Sequence, residues 1–113
     1  MPGYLIARVD VTDWDRYREY MHHTPRVIAH FGGRFVARGG ETVTVEGPTE
    51  TNRIVVIEFP TFAQAKAFYD SPEYKRIKKL RDGAGNTQFV IVDGYSPDEW
   101  AKVVAESSEL DPP

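Results

Sequence analysis

The chain contains four short segments with the period-two pattern of β-strands and two longer stretches whose apolar residues have helical spacing. This combination limits the folds that the chain can adopt. The alternating segments are Tyr4 to Val9, Arg34 to Arg38, Arg53 to Phe59 and Gln88 to Asp93, and all are rich in β-branched or aromatic residues. A period of two is typical of β-strands. The second strand is expected to continue through Thr42 to Glu46, where the alternation resumes.

Both helical stretches contain a proline that is expected to interrupt them. In the first, Thr12 or Asp13 is the candidate N-cap, and Thr24-Pro25 is predicted to break or kink the helix because proline lacks an amide donor. In the second, Thr61 is the candidate N-cap, and Ser71-Pro72 repeats the pairing of a cap with a proline. Each helix is therefore predicted as two pieces.

The order β-α-β-β-α-β predicts an α+β domain of ferredoxin-like topology, a four-stranded antiparallel sheet with its helices on one face. We assign this domain to residues 1–95. The capping box Ser96 to Glu99 then opens a short helix around Trp100. Residues 96–113 are accordingly predicted to be a C-terminal helical extension with a frayed end.

The two faces of the predicted sheet differ in polarity, because alternate residues of a strand point to opposite sides. One set is wholly apolar and is predicted to lie beneath the helices: Leu5, Ala7, Val9, Phe35, Ala37, Val55, Ile57, Phe59, Val90 and Val92. The other set, predicted to be uncovered, is apolar in the middle and polar toward the strand ends: Tyr4, Ile6, Arg8, Arg34, Val36, Arg38, Ile54, Val56, Glu58, Phe89, Ile91 and Asp93.

An uncovered apolar face of this size marks an interface or a ligand site. Two such sheets packed face to face would form a homodimer, the dimeric α+β barrel. The segment around Trp100 is the alternative cover, or it reaches across to the partner.

Arginines on this uncovered face suggest a site for a small organic anion, such as a carboxylate. A guanidinium can donate two parallel hydrogen bonds to a carboxylate or an enolate, and it keeps its charge when buried. Arg38 is the first candidate for the anchor, with Arg8 at the same end of the face. Tyr4 and Arg34 lie toward the other end, and Arg81, which ends the second helix, is a further candidate contact. Alternatively, Arg34 and Arg38 protect a sheet edge or pair with Glu58 or Asp93 of the partner, and Arg81 complements a helix C-terminus.

Glu58 is the candidate general acid or base, since a carboxylate on an apolar wall can exchange protons with a bound substrate. The alternative role for Glu58 is that of an ion-pair partner. Structural ion pairs and catalytic carboxylates occur in similar surroundings.

Several classes of function are disfavoured by composition. A net charge of -3, from 17 acidic and 14 basic residues, favours neither nucleic acid nor an anionic membrane as a partner. The chain has no cysteine, and the adjacent His22 and His23 point about 100° apart on a helix, so no metal site is expected. No cofactor-binding motif is present, and no apolar run is long enough for a signal peptide or a membrane span. We expect a cytoplasmic protein without a cofactor.

Ordered motifs along the chain resemble the DUF1330 family, whose activity is unknown. They are HFGGRFVARGG from His30, VEG from Val45, RIVVIEFP from Arg53, AKAFYDSPEYKRIKKLR from Ala65 and VDGY from Val92. The resemblance covers roughly residues 3–95 and implies the dimeric α+β barrel superfamily. Fold relatives implied by it include cofactor-independent monooxygenases, isomerases, cyclases, haem enzymes and plain ligand-binding domains.

The sequence thus yields two hypotheses. One is a homodimer whose cleft binds a small organic anion, with or without isomerase, cyclase or monooxygenase chemistry. The other is a ligand-binding or structural dimerisation module without catalysis.

Overall fold

The computed structural model describes residues 1–112. Four strands form one antiparallel sheet with the spatial order β2-β3-β1-β4. The strands are β1 (Gly3–Val11), β2 (Arg34–Arg38), β3 (Arg53–Phe59) and β4 (Gly85–Asp93). The predicted ferredoxin-like α+β architecture is confirmed. The predicted extension of β2 through Thr42 to Glu46 is wrong, because no strand pairs with that segment.

Side-chain caps fix where the helices begin. The helices are α1 (Trp14–His30), α2 (Phe62–Asp70), α3 (Pro72–Lys78), which runs into a 3₁₀ turn (Lys79–Arg81), and α4 (Pro97–Glu106). The side chains of Asp13, Thr61, Ser71 and Ser96 each accept a hydrogen bond from the backbone N–H three residues later. The predicted interruption at Ser71-Pro72 is confirmed. None of the helices formed by residues 1–112 has the length and apolar character needed to span a bilayer.

The predicted break at Thr24-Pro25 is wrong, because α1 continues through both residues. A proline inside a helix leaves the carbonyl four residues earlier without its usual partner, which here is Met21. The Thr24 hydroxyl donates to that carbonyl at 3.2 Å, and Arg38 Nη2 donates to it at 3.3 Å. Two side chains therefore replace the missing helical hydrogen bond.

The core lies between the helices and one face of the sheet. Its largest fully buried side chains are Tyr74, Phe59, Phe68, Leu5 and Val9. In β1 the buried side chains alternate with half-buried or exposed ones, as the period of two predicts. The opposite face of the sheet, which carries Tyr4, Ile6, Arg8, Ile54, Val56 and Glu58, is half-buried or exposed and is called here the open face.

The predicted sides of β4 are reversed. Leu5 of the core pairs with Ile91, and Ala7 pairs with Phe89, so these two β4 residues lie beneath the helices. Val90 and Val92, which were predicted there, are exposed on the open face. Both sets of β4 residues are apolar, so alternation alone could not decide which of them faces the helices.

A bulge in β2 moves Arg38 to the helix side of the sheet. Phe35 pairs with Ile57, but the register then shifts, so that Ala37 lies opposite Val56 and Arg38 opposite Val55. Val55 belongs to the core, which places Arg38 on the helix side and Ala37 on the open face, the reverse of the prediction. One extra residue in a strand exchanges the faces of every residue after it.

Candidate anion-binding site

A narrow cavity of ≈ 30 Å³ lies between α1 and the helix side of the sheet. Its walls are mainly aromatic and aliphatic, and they include Tyr17, Tyr20, Met21, Phe35, Val55, Phe68, Tyr74 and Phe89. The charged groups in the wall are Arg38 and Arg53, and none of the lining residues is acidic. An apolar pocket with a few convergent polar groups is the usual form of a small-molecule site. The charge of this one favours an anion.

Arg38 is held at the cavity by α1 and β2 together. Its guanidinium stacks on the Phe35 ring at 4.3 Å and donates to the Met21 carbonyl that Pro25 leaves free. The bulge in β2 and the proline in α1 thus both contribute to its position. The sequence identified Arg38 as a candidate but placed it on the wrong face.

Arg53 enters the cavity from the start of β3, and sequence reasoning missed it. Val9 pairs with Arg53, so the arginine continues the helix-side row formed by Val55, Ile57 and Phe59. Arg53 could have been assigned to this row from the sequence, because it lies two residues before Val55 in the same strand. Its guanidinium lies 5.9 Å from the centre of the Trp14 ring.

Gly39 makes room for Arg53. A Cβ atom at this position would overlap the Arg53 guanidinium, and its φ of 64° is in the region that favours glycine. At Gly40 an added Cβ meets nothing within 4 Å. The glycine pair after β2 therefore holds one essential glycine and one that tolerates a side chain.

We expect Gly39→Ala to lower the free energy of unfolding by about 1–3 kcal/mol, the usual cost of a non-glycine residue in this backbone region. It should also displace Arg53 from the cavity. Urea denaturation measures the first effect, and the NMR shift of the Arg53 Nε–H reports the second. Gly40→Ala is the matched control, and an equal loss of stability in both variants would contradict this account.

Arg81 approaches the same aromatic cluster from the 3₁₀ turn. Its guanidinium lies 4.8 Å from the centre of the Phe89 ring and 5.3 Å from that of Tyr20, and Nη1 donates to Thr87 Oγ1 at 3.3 Å. Arg81 is thus the second predicted residue that the structure brings to this region, beside Arg38.

Two of these arginines have a buried donor without an acceptor. The Nε atoms of Arg53 and Arg81 are buried, and neither has a hydrogen-bond partner among residues 1–112. A buried polar hydrogen left unpaired costs about 1–3 kcal/mol, more for a charged group, and such groups are rare in folded proteins. Both guanidinium groups therefore have unused capacity for an anionic acceptor.

Tyrosine hydroxyls accompany the arginines. Burial raises the pKa of Tyr17, and the positive charges of Arg81, Arg53 and Arg38 oppose that rise. Burial also raises the pKa of Tyr20 well above its ordinary value, and the nearby Tyr74 adds to the effect. The Tyr20 and Tyr74 hydroxyls are 2.7 Å apart. Neutral Tyr17 and Tyr20 are proton donors at neutral pH.

The raised pKa of Tyr20 makes stability depend on alkaline pH. Above the ordinary tyrosine pKa of 10.0, the unfolded chain releases a proton that folded Tyr20 retains, so the free energy of unfolding should fall as the pH rises further. One such group contributes a slope of about 1.4 kcal/mol per pH unit. Tyr20→Phe should make the decline shallower, as measured by urea unfolding between about pH 8 and about pH 11. Parallel declines in the variant and the wild type would contradict this expectation.

The other predicted site residues lie on the open face, away from the cavity. Arg8 forms an ion pair with Glu50 at 2.6 Å and donates to Gln88 at 3.3 Å. Tyr4 pairs in register with Glu58, and Arg34 Nη2 lies 3.5 Å from Glu58 Oε1. The structure therefore separates these four residues from Arg38 and Arg81.

The chain matches the family described as "Domain of unknown function (DUF1330)" over residues 2–95. It belongs to the DUF1330 family. Helix α4 lies outside the matched range. No curated protein is detectably similar in sequence to this DUF1330 chain.

Solved structures share the fold of this DUF1330 protein at low sequence identity. The RPA0582 protein of unknown function from Rhodopseudomonas palustris is 19% identical with a TM-score of 0.67, over 85% of this chain and 84% of that one. A dimeric ferredoxin-like protein of unknown function from Jannaschia sp. CCS1 is 14% identical with a TM-score of 0.60, over 81% and 98% of the chains. SnoaB, a cofactor-independent oxygenase from Streptomyces nogalater, is 11% identical with a TM-score of 0.52, over 84% and 94%. These likenesses establish the ferredoxin-like fold.

Proposed function

We propose that this DUF1330 protein is a homodimer that binds a small organic anion with an apolar or aromatic body in the helix-side cavity. Arg38 and Arg53 hold the anionic group, with Arg81 close by. The observation that carries the proposal is the pair of buried Nε–H donors on Arg53 and Arg81 that lack acceptors, beside a cavity without a carboxylate in its wall. The sequence hypothesis of an anion site is kept, but its location moves from the open face to the other side of the sheet.

The open face supplies the dimer interface in this proposal. Val36, Val90 and Val92 are exposed there, and Ile6, Ile54 and Val56 are half-buried. Covering such side chains stabilises an assembly by roughly 1.5–3 kcal/mol for each one fully buried. Dimeric ferredoxin-like proteins among the structural neighbours support this arrangement.

An aromatic carboxylate matches the groups that line the cavity, because arginine forms paired hydrogen bonds to a carboxylate and the aromatic walls can part to receive the ring. Benzoate and its neutral amide, benzamide, have nearly the same shape and differ in charge. We expect benzoate, and not benzamide, to shift the backbone amide signals of α1 and of the helix-side strand residues in an NMR titration. Equal shifts with both compounds, or none with benzoate, would overturn the proposal.

A catalytic version is favoured by the neighbouring guanidinium and neutral tyrosine groups. In this version a water molecule at the mouth of the cavity takes the α-proton of a carbonyl compound, the guanidinium groups stabilise the resulting enolate, and a neutral tyrosine hydroxyl returns a proton to it and is reprotonated by water. This is the chemistry of a cofactor-independent isomerase or cyclase, and with O₂ as the oxidant of the enolate it becomes that of a monooxygenase. The fold shared with the oxygenase SnoaB supports this version. Glu58 remains the predicted acid or base only if the open face takes part in the chemistry.

Proton exchange separates the catalytic from the binding version. Phenylpyruvate carries an aromatic ring, a carboxylate and exchangeable protons next to its ketone. Catalysis should accelerate deuterium uptake from D₂O at that carbon, and Tyr17→Phe should abolish the acceleration. Binding of phenylpyruvate with exchange no faster than in buffer would support a ligand-binding module.

A further inference from the structure

Helix α4 is a well-formed element that stands apart from the sheet and the other helices of residues 1–112. Ser96 caps it, and Asp98 and Glu99 lie in its first turn, where acidic residues complement the helix dipole. None of its residues is buried, and it makes no extended contact with another element of residues 1–112. An isolated helix of fewer than about 12 residues is only marginally stable in water, so α4 needs a surface to pack on.

One side of α4 is apolar and exposed. Trp100, Val103 and Val104 lie at spacings of three and four residues, which puts them on a single face of the helix. Their exposed fractions are 62%, 37% and 50%. These three apolar side chains form the part of α4 that is expected to pack against another surface.

The chain directs α4 away from its own body. The Gly94 N–H donates to the Pro2 carbonyl at 2.8 Å, and Pro97 then restricts the entry into the helix. The radius of gyration is 17.2 Å, whereas a compact chain of this length has roughly 13 Å, which agrees with α4 and the exposed loop between β2 and β3 lying outside the compact body. A second molecule is the cover that we consider for α4.

We propose that α4 is an arm that docks on the helix layer of a second copy of this chain, in the groove between that copy's α1 and α3. This inference rests on the homodimer proposed above. If the open faces pack together, they are not available to α4. Residues 94–104 span roughly 22 Å, taking three as extended and eight as helical. The partner's helix layer is about 20 Å from the sheet that carries the arm, since packed sheets are about 10 Å apart and helices lie about 10 Å beyond a sheet. The fully extended arm therefore just reaches the partner's helices.

The groove between α1 and α3 matches the arm in polarity and charge. Its apolar floor consists of the half-buried side chains of Val27, Ile77 and Leu80. The polar residues that line it are His23, Arg26, Arg76 and one acidic residue, Glu73. Residues 96–113 carry five acidic side chains, Asp98, Glu99, Glu106, Glu109 and Asp111, against the single basic Lys102. An acidic helix with an apolar stripe complements an apolar groove with arginines at its rim.

Photo-crosslinking in mixed dimers tests the arm. Trp100→p-benzoylphenylalanine is prepared in ¹⁴N and ¹⁵N forms, the two forms are mixed, and the mass of the assembly is measured by light scattering before irradiation. We expect crosslinks between chains that join position 100 to peptides of α1 or α3. The matched control, Lys102→p-benzoylphenylalanine, lies on the other side of the helix and should give a yield at least severalfold lower.

Three outcomes separate the possibilities. Loss of most of the crosslink in the Arg26→Glu/Arg76→Glu variant, with the dimer intact, would support docking in this groove. A dimer whose crosslinks lie within one chain, or reach the partner's sheet, would overturn the arm and leave the proposed dimer standing. A monomer at every concentration would overturn the dimer and the arm together.

Discussion

Replacing Arg53 by alanine is expected to weaken benzoate binding by roughly ten- to a hundredfold. A hydrogen bond to a charged group contributes about 1.5–3 kcal/mol, and each 1.4 kcal/mol is about a tenfold change in the dissociation constant. Arg38→Ala should have a similar effect, because both guanidinium groups line the same cavity. The NMR titration with benzoate measures the dissociation constants of both variants.

The controls for this prediction come from the same protein. Arg8→Ala removes an arginine from the open face, where it pairs with Glu50, and should leave benzoate binding unchanged. Arg53→Lys keeps the charge but loses the planar fork, so its affinity should lie between those of the wild type and Arg53→Ala. A loss in Arg8→Ala equal to that in Arg53→Ala would indicate a general electrostatic effect and would count against a defined site.

Phe68→Ala is expected to cause the largest loss of stability, about 3–5 kcal/mol, as for other buried phenylalanine truncations. Phe68 is 1% exposed, and its ring centre lies 4.7 Å from that of Tyr74 and 5.1 Å from that of Phe59. Removing the ring leaves a cavity at the centre of the aromatic core. Because small domains are stable by about 5–15 kcal/mol, the variant should unfold at a much lower urea concentration.

Phe62→Ala, in the same helix, provides the comparison. Phe62 is 38% exposed, so its truncation should cost about 1 kcal/mol or less. Urea denaturation of both variants gives the two free energies. Similar losses would show that α2 is not anchored through Phe68.

The elements of the fold could be predicted because their signals are local. Thr61, Ser71 and Ser96 are caps whose function depends on the next three residues, and the structure uses all three. Of the two candidates before α1, Thr12 and Asp13, it uses Asp13. The alternation in β1 and β3 likewise gave the correct buried side, because in β1 a charged residue, Arg8, marked the open face.

The candidate site was harder to predict because it depends on contacts distant in sequence. The position of Arg38 is set by a register shift against β3 and by a carbonyl of α1 that Pro25 frees. Neither relation can be read from the residues around Arg38. The orientation of β4 was missed for a similar reason, since only its pairing with β1 distinguishes Phe89 from Val90.

The bulge in β2 places Arg38 beside Arg53 on the helix side of the sheet, so the strand arginines form two groups on opposite sides. Arg8 and Arg34 lie on the open face with their acidic partners, whereas Arg38 and Arg53 line the cavity. Residues on opposite faces of a strand have few neighbours in common, and effects of distant mutations are usually additive. During evolution the cavity could therefore change its ligand through substitutions that leave the open face intact, and a new assembly could arise without altering what the cavity binds.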